Sequence, residues 1–148
     1  MPELLKSMLL VVGVCLLLPA VNAASANTGS GETEIAKVVE TLDVLSFRNS
    51  MRPRSRPDAH TLQQYGFTKV RSVTDKAISL ALEDDSWHFS LRIARDDGDT
   101  KVLCIEDDAN NGGTYRSAFE LMIVRSAEGL YQATQQTTER TALCSGHS

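Results

Sequence analysis

The chain has no excess of positive charge, no apolar run long enough to cross a bilayer and few cysteines, and each shortage narrows what it can be. Its 148 residues carry 15 lysines and arginines against 19 aspartates and glutamates, a net charge of −4. No global basic field therefore invites nucleic acid. The longest apolar stretch, Met8 to Val21, falls short of the roughly 20 residues a spanning helix needs and is interrupted by Pro19. Catalytic motifs are missing as well: there is no Gly-x-Ser-x-Gly elbow and no glycine motif that cradles phosphate. The three histidines, His60, His88 and His147, and the cysteines lack the i, i+4 or C-x-x-C spacing that brings two ligands to one ion. No metal and no cofactor is expected, and the chain is read as a non-enzyme. Paired carboxylates for glycoside hydrolysis are spaced in space and not in sequence, so their presence among so many acids carries no weight.

What the N-terminus does contain is a secretory signal. Lys6 follows Met1-Pro2-Glu3, the apolar run comes next, and Val21-Asn22-Ala23 ends on the small residue a signal peptidase requires. Cleavage is expected after Ala23, with Ala26 as a second candidate, and the location is periplasmic or secreted. Cys15 follows bulky Val14 inside a continuing apolar run, which argues against a lipid-modified cysteine. Removing residues 1–23 leaves Cys104 and Cys144 in an oxidising compartment, and an even pair there reads as a disulfide. In the chain-entropy model such a closure stabilises by roughly 4 kcal/mol. Residues 24–31 (ASANTGSG) form a flexible leader, and 32–148 a single domain.

Within that domain, Ile35, Val38, Val39, Leu42 and Leu45 recur at helical spacing, so the residues from Glu32 to Leu45 are expected as one amphipathic helix. A short second helix is expected from Asp58 as cap to Gly66 as stop. The remainder reads as strands: Phe67 to Val73, Ala77 to Glu83, a hairpin from Trp87 to Glu106, Ala118 to Arg125, and Leu130 to Thr137. The unbroken Leu121-Met122-Ile123-Val124 suggests a strand covered on both faces. The fold class is α+β: an antiparallel meander of five or six strands, the N-terminal helix packed on one face, and one disulfide.

The hairpin admits two registers. If Asp97-Gly98 alone turn the chain, Leu91 faces Cys104 and Ile93 faces Val102; if Asp96-Asp97-Gly98 form the loop, Cys104 moves to the opposite face beside Arg92. The first is preferred because it places the cysteine in the core.

Two loops of contrasting charge are the candidate partner-binding residues. Pro53 and Pro57 hold the segment around Arg52, Arg54 and Arg56 extended, which aligns the three guanidinium groups at intervals of roughly 6 to 7 Å. The loop Asp107 to Tyr115 (DDANNGGTY) supplies Asp107, Asn110, Asn111 and Tyr115. Its acids suggest calcium, but the spacing of a calcium hand fails from Asp107, where Ala109 replaces a carboxylate, and from Asp108, where Phe119 replaces the closing Glu. With export, a staple and no catalytic set, the chain is expected to be a small binding protein of inhibitor or immunity type, covering the surface of a secreted enzyme or toxin. The rival expectations are a periplasmic small-ligand carrier and a hydrolase with non-local carboxylates.

Overall fold

The computed structural model describes residues 32–48, 56, 58–137 and 141–145, which fall within the compact unit Gly31–Ser148. The expected signal peptide and leader lie outside the described residues, as do Arg52 and Arg54. Helix α1 (Glu34–Thr41) leads into β1 (Leu42–Asp43) and a 3-10 turn, Val44–Ser46; a second 3-10 turn, Gln63–Tyr65, precedes β2 (Lys69–Val73). Then come β3 (Ala77–Ala81), β4 (Trp87–Asp97), β5 (Thr100–Ala109), β6 (Arg116–Arg125) and β7 (Tyr131–Thr137). These strands make one curled sheet of order β1-β7-β6-β5-β4-β3-β2. From β2 to β7 it is the expected antiparallel meander; β1 adds a seventh strand, parallel to β7.

That extra strand comes out of the expected helix. Thr33 caps α1 by accepting the Ala36 N–H at 3.3 Å, and Ile35, Val38 and Val39 are buried as the spacing requires. The helix stops at Thr41 and not at Leu45, because Leu42 and Asp43 pair with Tyr131 and Gln132 and the Asp43 carboxylate takes the Leu45 N–H at 3.1 Å. Sheet pairing outweighs a helical propensity worth only tenths of a kcal/mol per residue. The second expected helix shrinks to the turn Gln63–Tyr65, yet its stop signal holds: Gly66 is left-handed (φ 97°) and returns its N–H to Gln63.

The central hairpin corrects the preferred register. Asp97 pairs with Thr100, so the two-residue turn is Gly98-Asp99, and a bulge at Ala94 lies between the Ile93–Leu103 and Arg95–Val102 pairs. Gly98, with φ 76°, takes the first central position, where such a turn favours glycine. Leu91 consequently faces Ile105, and Cys104 sits opposite Arg92 on the outer face. Phase was lost because four turn-tolerant residues (Asp96-Asp97-Gly98-Asp99) follow one another and because one bulged residue inverts every side chain beyond it.

The inner face carries cross-strand rows that close the core. One row runs Val73–Ile78–Leu91–Ile105–Phe119 across β2 to β6, and a second runs Val70–Leu80–Phe89–Asp107 across β2 to β5. α1 and the Val44–Phe47 segment cover this face, with Phe47 edge-on to Phe119 at 6.3 Å. β6 is not covered equally on both sides: Phe119, Leu121 and Ile123 are buried, while Met122 and Val124 are half-buried on the outer face. On that outer face Cys104 and Cys144 are joined, with Cα atoms 5.5 Å apart. The tail they anchor is further held by Arg92, which donates to the Leu143 carbonyl at 3.1 Å, and by the Thr141 hydroxyl, which donates to Glu120.

One buried charge ties the helix to the hairpin. Lys101 is 4% exposed, and its ammonium donates to Glu34 of α1 at 2.7 Å and to Asp96 of β4 at 2.5 Å. Burial alone would lower its pKa, but the bonds to Asp96 and Glu34 outweigh it and hold the group above its ordinary value.

Candidate partner-binding surface

Asp107 belongs to the inner row of β5, opposite Phe89, and is almost fully buried. A carboxylate there needs donors, and two aromatic residues provide them. The Trp87 indole N–H donates to one oxygen, and the Tyr115 hydroxyl lies 3.4 Å from the other. The two rings sit 5.4 Å apart, tilted by 35°. Burial pushes the Asp107 carboxyl above its ordinary value of 3.8, against the pull of the Trp87 and Tyr115 donors. Burial, then the Asp107 charge, raises the Tyr115 phenol in turn. Tyr115 remains 42% exposed, so a half-open aromatic pair is braced from below by a carboxylate. Rigid aromatic residues with satisfied polar atoms are the kind of side chain on which partner binding concentrates.

The loop above the pair is tied to its neighbours. Ala109 N–H bonds the Tyr115 carbonyl at 3.0 Å, Asn110 N–H bonds the Ser86 carbonyl at 2.8 Å, and the Asn110 amide donates to the Asp85 carbonyl at 3.2 Å. Asn111 is exposed, and its side-chain oxygen accepts the Gly113 N–H at 3.1 Å. Asp85 has a positive φ of 56°, and its carboxylate gathers Lys69 at 2.5 Å and Arg71 at 2.8 Å. The Lys69 bond, outweighing the opposing effect of burial and reinforced by the Arg71 charge, keeps Asp85 below the usual carboxylate range. A continuous surface thus runs from Tyr115 through Asn110 and Asp85 to the edge strand β2.

Of the expected site residues, the structure brings Asp107 and Tyr115 into contact and sets Asn110 and Asn111 in the same loop. Arg56 is held elsewhere: its N–H reaches the Tyr65 hydroxyl at 3.3 Å and its guanidinium lies 5.4 Å over the Tyr65 ring. Arg52 and Arg54 lie outside the described residues. The acids of the loop do not converge, since Asp107 points inward and Asp108 outward toward Arg116 at 3.6 Å. Among the described residues no group of three acids, histidines or cysteines is placed to hold a metal. Trp87 and Asp85 join the surface without having been singled out from sequence; the first would have followed from the true register, which sets Trp87 opposite Ala109 and beside Asp107. The space between helix and sheet, where a carrier would enclose its ligand, is filled by Ile35, Val38, Val39, Leu80 and Leu91.

Residues 14–104, a span that includes α1 and β1 to β4 and ends at Cys104 in β5, match the family of the pesticin immunity protein. No curated protein and no solved structure matches the chain.

Proposed function

Because the chain belongs to the pesticin immunity protein family, we propose that it is an exported immunity protein that binds a pesticin-type toxin and covers the surface the toxin works with. The family match, which spans well over half of the sequence, is the observation that carries this reading. Protection by occlusion needs no catalytic group; it needs a rigid anchor with a polar rim. Trp87 and Tyr115, braced by Asp107, are the anchor, with Asn110 and Asn111 around it. Arg56, together with Arg52 and Arg54, is the cationic arm that engages toxin carboxylates. Export through the signal at residues 1–23 brings the chain to the oxidising compartment in which Cys104 and Cys144 pair.

Expression in cells sensitive to a pesticin-type toxin tests the function and its location together. The full chain is expected to protect, and a version beginning at residue 24 is expected to leave the cells sensitive. Killing of cells that hold the processed, oxidised chain in the periplasm would overturn the immunity reading; protection by the version without residues 1–23 would overturn the location.

A further inference from the structure

β2 ends the sheet, and among the described residues no strand lies beyond it. Edge strands in native proteins are usually blunted by free charges or covered, because their unpaired N–H and C=O groups template further pairing. The charges of β2 are drawn off the edge itself: Lys69 and Arg71 both lean back to Asp85, whose single carboxylate leaves the pair of cations with a net positive charge. What the strand presents instead is apolar. The bulge between Val70 and Ser72 places Val70 and Val73 on the same inner side, where they extend the core rows of Leu80–Phe89 and Ile78–Leu91 past the point at which the core is covered. Val70 is 55% and Val73 49% exposed. Thr74 sends its N–H to Ala77 of β3, so by strand alternation the N–H and C=O of Val73 turn away from the sheet.

Resting on the immunity reading above, we propose that the edge of β2, unpaired among the described residues, takes an extended segment of the toxin as an added strand. That segment would lay an apolar side chain on the Val70–Val73 ledge and set a carboxylate against Arg71 and Lys69. Main-chain pairing supplies affinity in such strand addition, and the ledge and cations supply selectivity. A second copy of this chain does not fit as the occupant, because antiparallel self-pairing centred on the strand sets Arg71 against its own symmetry mate, like charge against like. The edge is also continuous with the Tyr115 surface through Asp85 and Asn110, so one partner can span both.

Hydrogen exchange of the purified residue 24–148 chain, alone and with a pesticin-type toxin, tests this, alongside the Val70→Asp/Val73→Asp double variant. Both valines are half exposed, so the variant is expected to keep the circular dichroism of the parent. The proposal expects slowed exchange over residues 69–73 in the complex and a Kd raised by about tenfold or more in the double variant. A complex that forms with unchanged exchange over 69–73 and unchanged affinity of the variant overturns strand addition while leaving the immunity reading intact. No complex at all overturns the immunity reading and the proposal with it. Should the variant lose its fold, exchange in the parent complex decides alone.

Discussion

Replacing Lys101 by Met isolates the buried charge that links α1 to the β4–β5 hairpin. Methionine preserves the length and apolar stem while removing the ammonium that Glu34 and Asp96 accept at 2.7 and 2.5 Å. Breaking a fully buried pair costs about 3 to 5 kcal/mol because a charge is left stranded. Here the stranded groups are only partly enclosed, the Glu34 side chain being 37% and the Asp96 side chain 24% exposed, so water recovers part of the loss. The expected cost is about 2 to 3 kcal/mol. In urea at pH 7 this appears as a midpoint lowered by on the order of 1 M with an unchanged slope. Adding Asp96→Asn should recover part of it, since one unpaired carboxylate is then removed. The pH dependence follows from the two shifts. Lys101 is raised, so its contribution is complete below its ordinary value of 10.5 and is lost as pH climbs through the folded value above that. Asp96 is lowered, chiefly by its bond to Lys101, so its contribution is present above 3.8 and is lost as pH falls through the folded value below that. The difference between parent and variant should therefore be flat near neutrality and shrink at both extremes. A Lys101→Met protein as stable as the parent at pH 7, or a difference that grows in acid, would refute this assignment of the network.

Three further outcomes follow from the same structure. Cys144→Ser should cost roughly 4 kcal/mol, as the loop of 40 residues implies; a thermal midpoint within a few degrees of the parent would contradict this. Asp107 is raised by burial, so its ionisation disfavours the fold: its contribution is greatest below 3.8 and is lost as pH rises through the higher folded value. Asp107→Asn should remove that pH dependence, read from Trp87 fluorescence during urea unfolding between pH 4 and pH 7 (about the carboxylate range), and a variant with the parent's profile would show that another group titrates. Tyr115→Ala should leave stability within about 1 kcal/mol, since the side chain is half exposed, but weaken toxin binding by about tenfold or more in calorimetry; equal affinity would remove the aromatic pair from the interface.

The parts of the fold that sequence made legible are those where one local signal decided the outcome. Alternation marked β3 to β5 and an unbroken apolar run marked β6, the even pair of cysteines left beyond the N-terminal apolar run pointed to the Cys104–Cys144 bond, and Gly66 stopped a turn because a left-handed residue was required. The losses occurred where tertiary pairing chose between equal local options. Leu42 continued the helical stripe of Ile35, Val38 and Val39, and only the far-distant β7, where Leu42 pairs with Tyr131, drew it into a strand. Val70 was out of phase with Val73 by counting, yet a bulge restored both to one face. At the site, Asp107 and Tyr115 were legible as members of one polar loop, but Trp87 was not, because its approach to Asp107 depends on a hairpin register that the bulge at Ala94 sets. Arg56 was singled out for its charge, and its packing on Tyr65 could be known only from the fold.

The most direct measurement is titration of a pesticin-type toxin with the purified, oxidised chain of residues 24–148, following the toxin's own activity. An immunity protein that works by covering its partner should abolish that activity at an equimolar ratio, with a matching complex on size exclusion. A toxin that remains fully active in the presence of excess folded chain would contradict it.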